Sequence, residues 1–335
     1  MPRHIVCLSF DFDTMSPFIQ RGLTTPTSLS RGEFGVVGAG RILDLLASRG
    51  IQATWFIPGF TIETYPDMAQ RVVAAGHEVA HHGWTHTPPA DLSREEEEAE
   101  LVRGNETIRK LTGRAARGYR SPSWDLSPHT IPLLLQHGFV YDSSLMGHDY
   151  LPYRARHGDV VERQKPAVFG PETRLVEMPI SWTLDDAPHF LYLRMKTHIQ
   201  QGLMPASGVL ENWVDDFVYM TRGTDWGVLT YTCHPFVIGR GYTMLMLERL
   251  IEKLAGLGAV FQTMEAAVGG VPPPLTVRGG GRPGSRRRSR FGAVEAGRRQ
   301  RPSRVKRPGR RVTVAPAATY SPAPLPVQYH RPWRA

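Results

Sequence analysis

Cysteine is nearly absent from this chain: Cys7 and Cys233 are the only two in 335 residues. Both sit in apolar, strand-like stretches, so they read as small buried hydrophobes rather than as a disulfide or a reactive thiol. Long hydrophobic runs are lacking as well, and no stretch approaches the ~18 apolar residues a membrane span needs. The apolar run His4–Phe10 after Arg3 is short for a secretory leader and is followed by aspartates, not by a small-residue cleavage site. It reads as a first buried strand, and a cytoplasmic protein is expected. No internal repeat is visible. Acidic residues are missing from one region in particular: 271–335 holds only Glu295, against 16 of the 40 Lys/Arg and 11 of the 28 prolines. Such a tail cannot bury enough apolar surface to offset its ordering entropy, so 271–335 is expected to be disordered. It reads as a dispensable extension more readily than as a nucleic-acid- or membrane-surface-binding arm, and nucleic acid is not an expected partner. The overall charge of +9 therefore misleads: residues 1–270 hold 24 Lys/Arg and 30 Asp/Glu, a net of −6.

What is present in 1–270 is an alternation of short apolar strands and helical patterns. His4–Phe10 is followed by a turn-rich loop to about Gly35, then a helical face with Ile42, Leu45 and Leu46 up to Arg49. Ala53–Ile57 reads as a strand, Glu63–Ala75 as a helix closed by Gly76, and Glu78–Ala80 as a short strand. Ser93 caps a long helix whose Glu95–Glu98 run suits its positive end and is expected to be solvated. Further strands are expected near 118–120, 139–141, 175–180, 228–233 and 259–262, with helices over 127–138 and 243–255. This is an α/β pattern with a parallel sheet, and seven or eight such units fit a closed barrel better than an open sheet, with a doubly wound fold as the alternative that the pattern alone leaves open. The chemistry of such barrels gathers where strands exit.

Polar residues cluster at those exits. The first strand ends in Asp11-Phe12-Asp13, two carboxylates that can both reach a barrel mouth, one to bind metal and one to act as a base. The third exits into His81-His82-Gly83-Trp84-Thr85-His86, where a helical turn would put His82 and His86 on one face as metal ligands. His77 lies at the wrong end of the strand, and His81 reads as a neighbour of the site. The next exit carries Arg120, suited to holding a carboxylate ionised, and Trp124, a flat wall for a ring. The run Leu229–Cys233 delivers His234, a candidate acid for a leaving amine. Two histidines and a carboxylate leave positions open for water and substrate.

In this order, Asp11-Phe12-Asp13, His82-x-x-x-His86, Arg120-x-Pro122-x-Trp124 and the strand ending in His234 resemble the polysaccharide deacetylase superfamily, carbohydrate esterase family four. The resemblance covers about 3–265 and implies a distorted (β/α) barrel of seven or eight units over 1–270, with one divalent metal ion, usually zinc, although cobalt, manganese or nickel suit the same donors. It further implies Asp13, His82 and His86 as metal ligands, Asp11 as general base, Arg120 as its orienting partner and His234 as general acid. Two departures mark a subgroup. Phe12 separates aspartates that are adjacent elsewhere, and Gly83 replaces a Ser or Thr. Both look like the intracellular relatives that include peptidoglycan-deacetylase-like proteins and metal-independent allantoinases and cyclic-imide hydrolases. The segment Glu177–His189 is similar to that subgroup too and implies Trp182 and Asp185, or Asp186, in the pocket. Intracellular relatives often assemble as homo-oligomers.

The expectation is thus a metal-dependent hydrolase of amide carbon–nitrogen bonds, acting on an N-acetylated sugar or related small amide. The alternatives are a metal-independent allantoinase or imide hydrolase, which the complete metal triad disfavours, and a non-catalytic carbohydrate- or nucleic-acid-binding protein, which the intact base and acid disfavour.

Overall fold

The structure, a computed structural model, describes residues 4–195 and 198–271. The tail expected over 271–335 thus lies, but for Val271, outside the described residues. Strands, in chain order, are β1 (His4–Asp11), β2 (Thr54–Ile57), β3 (Glu78–His81), β4 (Gly118–Tyr119), β5 (Tyr141–Asp142), β6 (Tyr153–Arg156), β7 (Glu172–Glu177), β8 (Leu193–Arg194), β9 (Ile199–Gln200), β10 (Gly227–Cys233) and β11 (Val260–Phe261). The main sheet runs β10-β1-β2-β3-β4-β5-β7-β6, with β11 also on β1, and β8 and β9 form a separate hairpin-like pair. All main-sheet pairings are parallel except β6 on β7. Beyond His4, the residues of β1 are buried, as are those of β2 and β10, because helices cover one face of the sheet and the barrel interior covers the other. Cys7 and Cys233 lie within these strands as free, buried thiols.

This is the distorted (β/α) barrel of the deacetylase type. Among the described residues its hydrogen-bonded ladder does not close. The edge strands are β6 and β10, and among the described residues one isolated bridge, Asp185 to Thr232, joins the chain after β7 to β10. Nearby, the Val228 amide donates to the Tyr150 carbonyl.

Three local expectations are corrected. The loop expected up to Gly35 is instead the first half of a helix, Pro26–Arg49, which Thr25 caps by accepting from the Ser28 amide, with Pro26 in the first turn. Its glycines signal close approach rather than a loop. A Cβ on Gly32 would stand 2.5 Å from the Thr14 carbonyl oxygen, and one on Gly38 would collide with the Pro235 carbonyl. The helix can therefore lie against the chain just beyond both β1 and β10. The helix expected over Glu63–Ala75 is split into Gly59–Thr64 and Pro66–Ala74, since Pro66 cannot continue the preceding turn. The acidic run at the start of Arg94–Thr112 is only partly solvated: Glu96 completes a capping box with Ser93, but Glu97 is buried and accepts from Thr130 Oγ1 at 2.6 Å.

Parallel register sets the exits side by side. Asp11 is level with Phe56 of β2, Ile57 of β2 with His81 of β3, and His81 with Tyr119 of β4. Phe10 is level with Cys233, so His234 leaves the sheet beside Asp11.

Candidate active site

Strand alternation separates the first motif into two faces. Phe12 is fully buried and meets Trp55 edge-on, so Asp11 and Asp13 point together to the opposite side. Phe12, which distinguishes this chain from the family text, is a core anchor between two site residues. The Asp13 carbonyl accepts from Ser16 Oγ at 2.8 Å and Thr61 Oγ1 at 2.7 Å, which fixes the turn that carries its carboxylate.

His82 and His86 reach that carboxylate from an irregular loop and not from the helical turn expected. Gly83 and His86 both have left-handed backbone, φ 69° and 66°. Gly83 thus stands where a side chain would be strained. His82 Nε2 lies 3.4 Å from Asp13 Oδ1, and His86 Nε2 3.4 Å from Asp13 Oδ2. His82 Nδ1–H donates to the Arg120 carbonyl at 2.7 Å, which leaves its Nε2 lone pair directed at the aspartate.

These three residues fit a divalent ion. Asp13 Oδ1 is buried with no hydrogen-bond partner, which is costly for a carboxylate oxygen unless a cation faces it. All three donor atoms lie within 4.8 Å of one another. Tetrahedral bonds of about 2.1 Å give donor–donor edges of roughly 3.4 Å, and each imidazole lies 3.4 Å from one of the two Asp13 oxygens. Two imidazoles and one carboxylate are a borderline-soft set suited to zinc and its neighbours. Burial works to raise Asp13, but His86, His82 and His234 around it outweigh burial and hold it ionised, below the usual carboxylate range.

Asp11 sits beside this set, with Oδ2 3.8 Å from His82 Nε2. Its other oxygen accepts from Arg120 Nη1 at 2.6 Å. Arg120 is completely buried: it also donates to Ser9 Oγ, the Ser143 carbonyl and Ser143 Oγ, and it lies over the Phe56 ring at 4.0 Å. Across the site, His234 Nε2 is 3.7 Å from Asp13 Oδ2, and its Nδ1 is 2.7 Å from Asp186 Oδ1. Burial opposes its charge, yet Asp185, Asp186 and Asp13 overcome this and keep the ring protonated well above its ordinary range. His81, by contrast, bonds the Leu101 carbonyl, and burial pushes it down to about 3, so it stays a neutral structural group.

Asp11, Asp13, His82, His86 and His234 line one cleft together with Trp124, Trp182, Asp185, Arg21 and Phe18. Trp124 and Trp182 stack at 4.0 Å; Trp124 is buried, and Trp182, 43% exposed, presents the open indole surface. Asp185 caps the short helix Asp186–Phe190 through the Ala187 amide, so it is Asp186 that holds the Nδ1 of His234.

Sequence inspection missed four supports. Ser9 and Ser143 bind Arg120, and their small hydroxyls carry no signal of their own. Asp142 and Glu177 end β5 and β7, so the strand-exit rule that found Arg120 was available for them too. Each is fully buried and has one oxygen with no hydrogen-bond partner. Burial pushes Asp142 up to about 6, and burial with the Asp142 charge lifts Glu177 well above its ordinary value. A raised carboxyl stabilises the fold fully below its unfolded pKa of about 4 and loses that contribution as pH rises through the folded value. The stabilisation from Asp142 should therefore be lost between about pH 4 and about 6, and Asp142→Asn should lack that part of the wild-type pH dependence. Thermal unfolding across this range checks it, and parallel profiles for the two proteins would contradict it.

A family model for polysaccharide deacetylase matches residues 36–141. The chain is 37% identical over 263 residues to a peptidoglycan deacetylase of Helicobacter pylori, covering 75% of this chain and 89% of the relative. It is 30% identical to a peptidoglycan deacetylase-like protein of Gibberella zeae, covering 78% and 84%. Among solved structures, a polysaccharide deacetylase from Mycobacterium smegmatis superposes with a TM-score of 0.71 at 27% identity, over 80% of this chain and 90% of that one. The chain belongs to the polysaccharide deacetylase family, which are hydrolases of non-peptide carbon–nitrogen bonds. Among the described residues, no helix is long and apolar enough to cross a membrane.

Proposed function

We propose that this protein is a metal-dependent deacetylase that removes the acyl group from an N-acetylated sugar. The observation that carries the reading is the meeting, in one cleft, of the Asp13–His82–His86 donor set with an Arg120-bound Asp11 on one side and an Asp186-bound His234 on the other. Asp13, His82 and His86 would hold a divalent ion, most simply zinc, which would supply Lewis-acid chemistry in the cleft. Asp11, aligned by Arg120, takes the proton of that water. His234, charged and oriented by Asp186, gives a proton to the departing nitrogen. Trp182 offers a flat apolar surface to a pyranose ring. The sugar amide is favoured by the two relatives named a peptidoglycan deacetylase and a peptidoglycan deacetylase-like protein.

The test is a substrate panel on purified protein: N-acetylglucosamine oligomers, peptidoglycan fragments, allantoin and cyclic imides. Acetate release from the sugars alone is expected. Ring opening of allantoin or an imide without acetate release would overturn the sugar assignment.

A further inference from the structure

The two metal-site histidines are not supported alike. His82 is oriented by its bond to the Arg120 carbonyl, whereas the Nδ1 of His86 is buried without a partner. The direction of the His86 ring therefore depends on the backbone of 83–86, which passes through left-handed conformations at both Gly83 and His86. Left-handed backbone at a non-glycine residue is held only where the surroundings impose it.

Two neighbours clamp that backbone. The amides of Gly59 and Phe60 donate to the carbonyls of Gly83 and Trp84, at 3.1 and 2.9 Å. From the other side, one carboxylate oxygen of Glu100, on the helix Arg94–Thr112, accepts from the Trp84 amide at 2.8 Å, the Thr85 amide at 2.7 Å and the Thr85 hydroxyl at 3.0 Å. That is the residue between the two histidines and the residue immediately before His86. Charge-assisted bonds to two successive amides fix a peptide plane more firmly than neutral ones. The same helix adds Arg103, which covers the Trp84 ring at 3.2 Å.

We infer that Glu100 is the positioning residue of the metal site: it touches neither metal nor substrate, but sets the direction of His86 through the loop backbone. This inference rests on the metal-dependent reading above. Outer-shell partners of this kind control affinity by about 10–100-fold.

The experiment is a zinc titration of the full chain against a chelating indicator, with thermal unfolding of the metal-free protein measured in parallel. Wild type, Glu100→Ala, Glu100→Gln and the exposed same-helix control Glu106→Ala are compared. Wild type binds one zinc, Glu100→Ala binds it about 10–100-fold more weakly, and Glu106→Ala matches wild type. Glu100→Gln, whose amide oxygen can still accept from the loop, falls between. If Glu100→Ala does not fold, Glu100→Gln decides alone, by weakened zinc binding at an unchanged metal-free melting temperature. Folded variants that bind zinc as tightly as wild type, whatever their melting temperatures, would overturn the inference. Absence of zinc binding in wild type would instead overturn the metal-dependent reading.

Discussion

Asp11→Asn is expected to lower kcat by about 10²–10⁴-fold, the usual contribution of a positioned general base, with one divalent ion per chain still bound. The proposed ligand set leaves Asp11 out, because its Oδ1 is taken by Arg120 and the donors that converge are those of Asp13, His82 and His86. Asparagine keeps the size of the side chain and one acceptor for Arg120 but cannot take a proton. It also leaves the buried guanidinium without a charged partner, so a loss of stability accompanies the loss of rate. The two effects separate in the double variant Asp11→Asn with Arg120→Met, which should regain part of the stability and none of the turnover. Metal content and kcat of the three proteins check this. Loss of the ion in Asp11→Asn would mean that base and ligand are exchanged.

Arg120→Met is expected to cost about 3–5 kcal/mol of folding stability, because removing one partner of a buried ion pair strands the other charge. The side chain is fully buried and ties the exits of three strands: Ser9 and Asp11 on β1, its own position after β4, and Ser143 after β5. A lysine restores the charge but not the planar fork that reaches Asp11 and Ser143 at once, so Arg120→Lys should recover only part of the loss. Urea unfolding at neutral pH measures it. A loss below about 1 kcal/mol, the range of exposed pairs, would show that the network carries little of the rim.

Much of this architecture is legible in the amino-acid sequence because strand exits obey simple geometry. The strands that end in Asp11 and Cys233 are apolar runs long enough to recognise, the one that ends in His81 is short but set off by Gly76 before it, and parallel register brings their next residues to one level. The helix Pro26–Arg49 is not legible, since its glycines look like loop residues until the Thr14 and Pro235 backbones they touch are known. The His82–His86 loop has helical spacing but takes its shape from Gly83, Glu100 and the amides of Gly59 and Phe60, contacts whose partners lie up to 24 residues apart. Asp186 reads no differently from Asp185 in the chain; only the turn that spends Asp185 on the Ala187 amide assigns His234 to its neighbour. Paired supports such as Asp142 with Glu177 are legible one at a time as strand ends but not as a pair, because their meeting depends on β5 and β7 being neighbours with β6 outside them.

The central claim is that Asp13, His82 and His86 hold an ion without which the cleft does not work. The direct measurement is acetate release by protein stripped with a strong chelator, dialysed, and then titrated with zinc or cobalt. The account predicts no turnover in the stripped protein and recovery that saturates at one ion per chain. Undiminished turnover after rigorous stripping, confirmed by elemental analysis, would contradict it.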